Sequence, residues 1–136
     1  MPKLTWSDAL ALDQPAMDAT HREFVELLGR AETCDLESLP AAWRELVAHT
    51  EAHFAREDEW MRESGYHACE CHRAQHDLVV RVMHEGQMLA DRGDVQPVRE
   101  MIRELATWFP QHADAMDAPL ARHMREVGFE PPTRAA

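Results

Sequence analysis

The sequence predicts an all-α protein, an antiparallel up-down-up-down four-helix bundle with an N-terminal arm. Three observations carry that prediction. Four segments repeat apolar residues at helical spacing, Pro or Gly punctuates their ends, and the links between them are short. Short links between long helices make sequence neighbours antiparallel. No segment alternates as a strand does, and there is no internal repeat. At 136 residues the chain reads as a single domain, 1–136, long enough to bury a proper core.

Residues 1–17 form the expected arm. Trp6, Leu10, Leu12 and Pro15 keep no sustained periodicity, and Trp6 is its packing anchor. The first helix is expected over about 18–34, starting near Asp18 or Thr20, with His21, Phe24, Val25 and Leu28 on one stripe. The second spans 38–64, with Ser38 as its cap, Pro40 in the first turn and Gly65 as its stop. Leu46, His49, His53, Glu57, Trp60 and Met61 follow its inner face. The third spans 69–92, with His72, His76, Val79, Val80 and Met83 inward and Gly93 as terminator. The fourth spans 96–117, opening near Pro97, with Ile102, Leu105, Phe109 and His112 inward. A short segment, 118–136, follows it.

The fourth helix contains an irregularity. His112 and Asp117 are five residues apart, which an ideal α-helix turns into about 140° of angular separation. Pro110 removes a backbone donor beside them and should bend the helix, and Pro119 implies a second break after Asp117. A distorted or widened turn is expected between His112 and Asp117.

Charge and composition exclude several classes. A net charge of −11 argues against nucleic acid or an anionic membrane surface as a partner, since both need a basic patch. No apolar run approaches the roughly 20 residues that span a bilayer. The first six residues lack the apolar stretch of a signal peptide, so a cytoplasmic location is the expectation. The odd count of cysteines, Cys34, Cys69 and Cys71, suggests no disulfide framework. A zinc site from Cys69, Cys71, His72 and His76 would crowd four ligands into eight residues with no second pair to balance them, so free thiols are expected.

The chemistry is carried by His21, His53-x-x-x-Glu57, His72-x-x-x-His76 and His112-x-x-x-x-Asp117. The i, i+4 pairs each occupy one helix face and can enter a bundle core together. Imidazole suits iron, copper, zinc and nickel, and a carboxylate can bridge two ions. Shared between two six-coordinate metals, five histidines and two bridging carboxylates fill nine of twelve positions. A solvent-derived oxo or hydroxo bridge fills two more, which leaves one open on the ion with fewer histidines. His72 and His76 share a helix and therefore an ion, which His112 can join; His21 and His53 serve the other. The Glu-x-x-His motifs of carboxylate-rich oxidases are missing. That balance favours reversible binding of a small molecule over oxidation of a substrate.

From Trp6 to about His123 the chain resembles the hemerythrin family, in its single-domain bacterial form. The resemblance rests on Trp6…Asp18-x-x-His21, on His53-Phe54-x-x-Glu57-x-x-x-Met61 with Gly65-Tyr66, on His72/His76, and on Trp108…His112…Asp117. It implies a non-haem di-iron centre with a bridging oxo or hydroxo group, ligated by His21, His53, Glu57, His72, His76, His112 and Asp117, with Glu57 and Asp117 bridging. It implies dioxygen as the ligand, for storage, delivery or scavenging, with nitric oxide, azide or other small anions as further occupants of the open position. The alternatives are an oxygen or redox sensor and a di-iron peroxidase or nitric oxide-handling enzyme. Sensor relatives are commonly fused to signalling domains, and the residues after Gly128 read as no such module.

The chain departs from the family where a bulky aliphatic usually follows the last histidine and a leucine precedes it by three. Ala113 and Phe109 stand there. Phe54, Trp108, Phe109 and Ala113 are the candidate lining of the ligand pocket, and the small Ala113 leads to an expectation of altered oxygen access and faster autoxidation. His49 shares a face with His53 but is read as a core or boundary histidine. His67, His84 and His123 are expected at the surface, and Tyr66 at the corner after the second helix.

Overall fold

A computed structural model describes residues 4–132 of the chain. Among the described residues there are five α-helices: α1 (Pro15–Thr33), α2 (Leu39–Ser64), α3 (Cys69–Asp91), α4 (Val95–His112) and α5 (Ala118–Glu126). Residues 34–38, 65–68 and 92–94 connect the first four, which are too few to do anything but reverse direction. Contacts run α1–α2, α2–α3, α3–α4 and α4–α1, which closes the ring of four. Among the described residues there is no strand, and no helix is long and apolar enough to cross a membrane.

The arm lies against the bundle. Leu4, Trp6 and Leu10 pack on the main core, and the Arg22 guanidinium sits 5.1 Å from the Trp6 ring. The arm ends earlier than the sequence suggested, because α1 begins at Pro15. Proline at the first helical position gives up only a donor that would have no intrahelical partner. Gln14 caps the start by accepting from the amides of Ala16 and Met17 at 2.8 and 3.2 Å. Asp18, the expected start, instead ties the arm down by accepting from the Leu12 amide at 2.8 Å.

At the next helix Ser38 occupies the cap position, but its side chain makes no capping bond; Asp35 holds the turn by accepting from the Ser38 amide at 2.9 Å. Gly65 adopts φ +69°, and the Tyr66 amide reaches back to the Met61 carbonyl at 2.9 Å, which ends α2 sharply. Tyr66 is buried at that corner. Gly93, at φ +82°, does the same service after α3.

Residues 118–126, expected as part of a short tail, are helical. Pro119 does not break the chain there. It falls in the first turn of α5, where a missing N–H disrupts nothing. Leu120, Ala121 and Met124 on α5 are buried, and they form a second apolar cluster with Met17, Trp60, Met61 and Tyr66. The larger cluster holds Phe24, Leu28, Trp43, Leu46, Met83, Ile102 and Phe109. Along every helix of the bundle a polar layer falls between these clusters: His21 between Met17 and Phe24, His53 and Glu57 between Leu46 and Trp60, His72 and His76 before Met83, and His112 with Asp117 between Phe109 and Leu120. The core therefore grips that layer from both ends.

Candidate metal centre

Each helix delivers its share of the layer by a simple repeat, except the last. The i, i+4 pairs His53/Glu57 and His72/His76 point inward from α2 and α3, and all four side chains are buried. His112 ends α4, and Ala113–Asp117 then forms a π-helical turn before α5 begins. The wider turn absorbs one extra residue. His112 and Asp117, which an α-helix would splay apart, so come to face the same point, with His112 Nε2 3.2 Å from Asp117 Oδ1.

The two carboxylates sit in the middle, and each turns one oxygen to either side. Glu57 Oε2 lies 2.6 Å from His53 Nε2 and 3.6 Å from His21 Nε2, while Asp117 Oδ2 is 3.1 Å from His21 Nε2. Glu57 Oε1 faces His76 Nε2 at 3.2 Å and His72 Nε2 at 3.5 Å, and Asp117 Oδ1 faces His72 Nε2 at 3.0 Å. The ring nitrogens thus divide into a group of two, His21 and His53, and a group of three, His72, His76 and His112. In each group the candidate ligand atoms lie within 4.8 Å of one another.

The layer is costly for a protein to bury on its own. Nε2 of His21, His72, His76 and His112, Glu57 Oε1 and both Asp117 oxygens have no hydrogen-bond partner among the described residues. Buried polar groups left so are rare unless something else satisfies them. Imidazole nitrogens and carboxylate oxygens converging at two points are the donor set of first-row transition metals, so the residues present fit a pair of such ions.

The same crowding shifts the acids and bases. Burial works against charge on His21, but the Asp117 and Glu57 carboxylates beside its Nε2 outweigh it and raise the imidazole to about 10. Burial likewise opposes charge on His72, which Asp117 and Glu57 lift to about 9. Burial alone would raise the carboxyls; their histidine partners overcome it and hold Glu57 and Asp117 well below the usual carboxylate range. Without a metal, the two carboxylates favour protons on His21 and His72, while burial works against one on His53.

Aromatic rings pack the histidines unevenly. Phe54 stacks on His76 with centroids 3.9 Å apart and planes 6° from parallel, and Trp108 stacks on His112 at 4.5 Å and 23°. Phe109 meets His21 edge-on at 5.1 Å and stacks on Phe24, and Ala113 is buried in the same cluster. Phe54 and Trp108 therefore cover the three-histidine side, and Phe109 covers the other. Phe24 was not among the sequence candidates; its position on the stripe of α1 was the only hint.

Two hydrogen-bond partners also escaped the sequence reading. The Nδ1–H of His76 donates to Asp58 Oδ1 at 2.9 Å, and that of His112 donates to Gln75 Oε1. His49 does not join the cluster: it is half-buried and donates to Glu23 at 3.0 Å. His67 and His84 are exposed, but His123, expected at the surface, is half-buried and donates to the Ser64 carbonyl at 2.8 Å. Helix α5 carries it to the end of α2, where Ser64 accepts. The cysteines are free, Cys71 is exposed, and none belongs to a metal-binding group among the described residues, so the Cys69/Cys71 zinc arrangement does not form.

A closed four-helix bundle that gathers five histidines and two carboxylates between two apolar plugs defines a cation-binding helical bundle. More narrowly, the chain belongs to the hemerythrin family: residues 13–123 match the hemerythrin HHE cation binding domain. It is 35% identical to a bacteriohemerythrin of Ralstonia nicotianae over 136 residues, covering 100% of this chain and 99% of that one. It is 28% identical to a bacteriohemerythrin of Stenotrophomonas maltophilia, covering 93% and 90% of the two chains. A crystal structure of a leucine-to-alanine variant of hemerythrin shares the fold, with a TM-score of 0.81 at 20% identity over 90% of this chain and 98% of that one.

Proposed function

We propose that this protein binds dioxygen reversibly at a non-haem di-iron centre, as a store, carrier or scavenger of oxygen rather than as an enzyme. The observation that supports it is the way Glu57 and Asp117 each divide their oxygens between two histidine groups. Residues of the layer would hold the pair as follows: His21 and His53 on one iron, His72, His76 and His112 on the other, with Glu57 and Asp117 bridging. A pair of ferrous ions so held would supply the electrons for reversible dioxygen binding.

The protein's own part is to keep the site rigid, dry and short of ligands on one side only. Rings of Phe54 and Trp108 close off the three-histidine side. The two-histidine side is bounded by Phe109, with Ala113 in the same buried cluster, and there the open position would lie. Burial of every group in the layer keeps water away from the site. Free cysteines and the lack of a membrane-crossing helix among the described residues accord with a cytoplasmic location.

Iron analysis combined with anaerobic oxygen titration tests the reading. Two irons and one dioxygen taken up per chain are expected. Fewer than two irons in fully folded protein, or uptake that exceeds one dioxygen and continues with added reductant, would contradict it.

A further inference from the structure

The two sides of the cluster differ in how their histidines are anchored, and that difference is independent of the count of ligands. On the three-histidine side, His76 is fixed twice: Phe54 lies flat against its ring, and its Nδ1–H donates to Asp58. His112 is fixed the same way, by the ring of Trp108 and by the side-chain oxygen of Gln75. His72, the third histidine of that side, has its Nδ1 buried without a hydrogen-bond partner among the described residues. On the other side the same holds for both His21 and His53, and neither ring has a parallel stack, so two rings of three are anchored against none of two. Asp58 is half-buried, and its partner His76 is buried.

We propose that Asp58 and Gln75 are positioning residues that make the two metal positions unequal, so that the three-histidine position fills first and empties last. This rests on the di-iron reading above. A hydrogen bond from the far nitrogen of a ligating histidine fixes the tautomer with Nε2 free, holds the ring's direction and makes Nε2 a stronger donor; removing such a partner commonly costs 10- to 100-fold in metal affinity. Asp58 contributes more than Gln75 because its acceptor is an anion. On the two-histidine side no acceptor among the described residues meets Nδ1 of His21 or His53, so part of the binding energy there goes into setting the tautomer and ordering the rings. The iron at the open, ligand-binding position is then also the one most readily lost.

The test is an anaerobic titration of metal-free protein with ferrous iron in competition with a chromophoric chelator, read as ions retained per chain. Wild type should load in two separable steps. Asp58→Ala and Gln75→Ala should each weaken the tighter step by 10- to 100-fold and leave the weaker step within about threefold. Asp58→Asn, which keeps an acceptor oxygen, should recover a large part of the loss. Asp77→Asn, which removes an exposed carboxylate on the same surface without breaking a hydrogen bond to the layer, should change neither step. Helix content of each metal-free variant by circular dichroism separates lost folding from lost binding, and Gln75→Ala carries the test if Asp58→Ala does not fold. Equal weakening of both steps, no weakening of either, or an Asp77→Asn effect as large as that of Asp58→Ala would overturn the inference. A wild type that retains fewer than two ions would overturn the di-iron reading itself, and this inference with it.

Discussion

At the scale of single residues, the layer shows why some side chains announce themselves in a sequence and others do not. Five histidines and two carboxylates on four helical segments form a pattern too long to arise without a purpose, and all seven are buried together. Asp58 and Gln75 carry no such signal, since each is one polar residue among many on a helix, beside a candidate ligand but on a different face. Only the direction of the His76 and His112 rings distinguishes them. Phe109 and Ala113 raise a question of access. Ala113→Ile should place a larger side chain in the buried cluster that bounds the two-histidine side. Overpacking there should cost about 1–3 kcal/mol of stability by denaturant unfolding. In the oxygenated protein it should slow the drift to the ferric spectrum, and an unchanged rate would show that Ala113 does not control access.

At the scale of elements, the two helix starts that differ from the sequence expectation share one cause. Pro15 reads as part of the arm and Pro119 as a break, yet each sits in the first turn of a helix, where proline is tolerated. Position within an element, which a lone sequence leaves ambiguous, decides whether proline ends a helix or opens one. The widened turn after His112 was legible because a five-residue spacing conflicts with the α-helical repeat, and Ala113–Asp117 resolves the conflict as a π turn. Deleting the exposed Ala115 should convert that turn to regular α-helix, leave His112 and the aspartate four apart on one face, and preserve iron content. Inserting an alanine after it should rotate the aspartate and α5 by roughly 100° and abolish iron binding. Loss of iron on deletion, with helix content intact, would count against this account of the turn. Away from the site, Gly86 lets α3 approach its neighbours. A Cβ there would stand 2.7 Å from Met101 Sδ and 2.9 Å from Trp43 Cζ2. Trp43 has little freedom to yield, because its indole N–H donates to the Met83 carbonyl at 2.9 Å. Gly86→Ala should therefore cost about 1–3 kcal/mol in chemical denaturation while iron content stays at wild-type level.

At the scale of the whole molecule, stability and metal binding draw on the same buried groups. In the metal-free protein His21 and His72 are raised from an ordinary 6.5 to about 10 and about 9. The stability that those protons provide is complete below pH 6.5 and is lost as pH rises through 9 to 10. Metal replaces the protons, so loading should release them, and the loaded protein should not lose that increment. The gap in melting temperature between loaded and metal-free protein should therefore widen from pH 6.5 to pH 10. With each site at about 100-fold saturation, each ion adds about 2.7 kcal/mol, or roughly 10 °C for a domain of this size. Melts of both forms across that pH range check the sign; a gap that narrows would contradict it.

The central claim is that the bundle holds an iron pair with one open position that takes up oxygen and gives it back. Iron-loaded protein is reduced without air, and its visible spectrum is recorded before oxygen, after oxygen and again under argon. The account predicts a charge-transfer band that appears with oxygen and disappears under argon over repeated cycles. A direct passage to a ferric spectrum that argon does not reverse would contradict it.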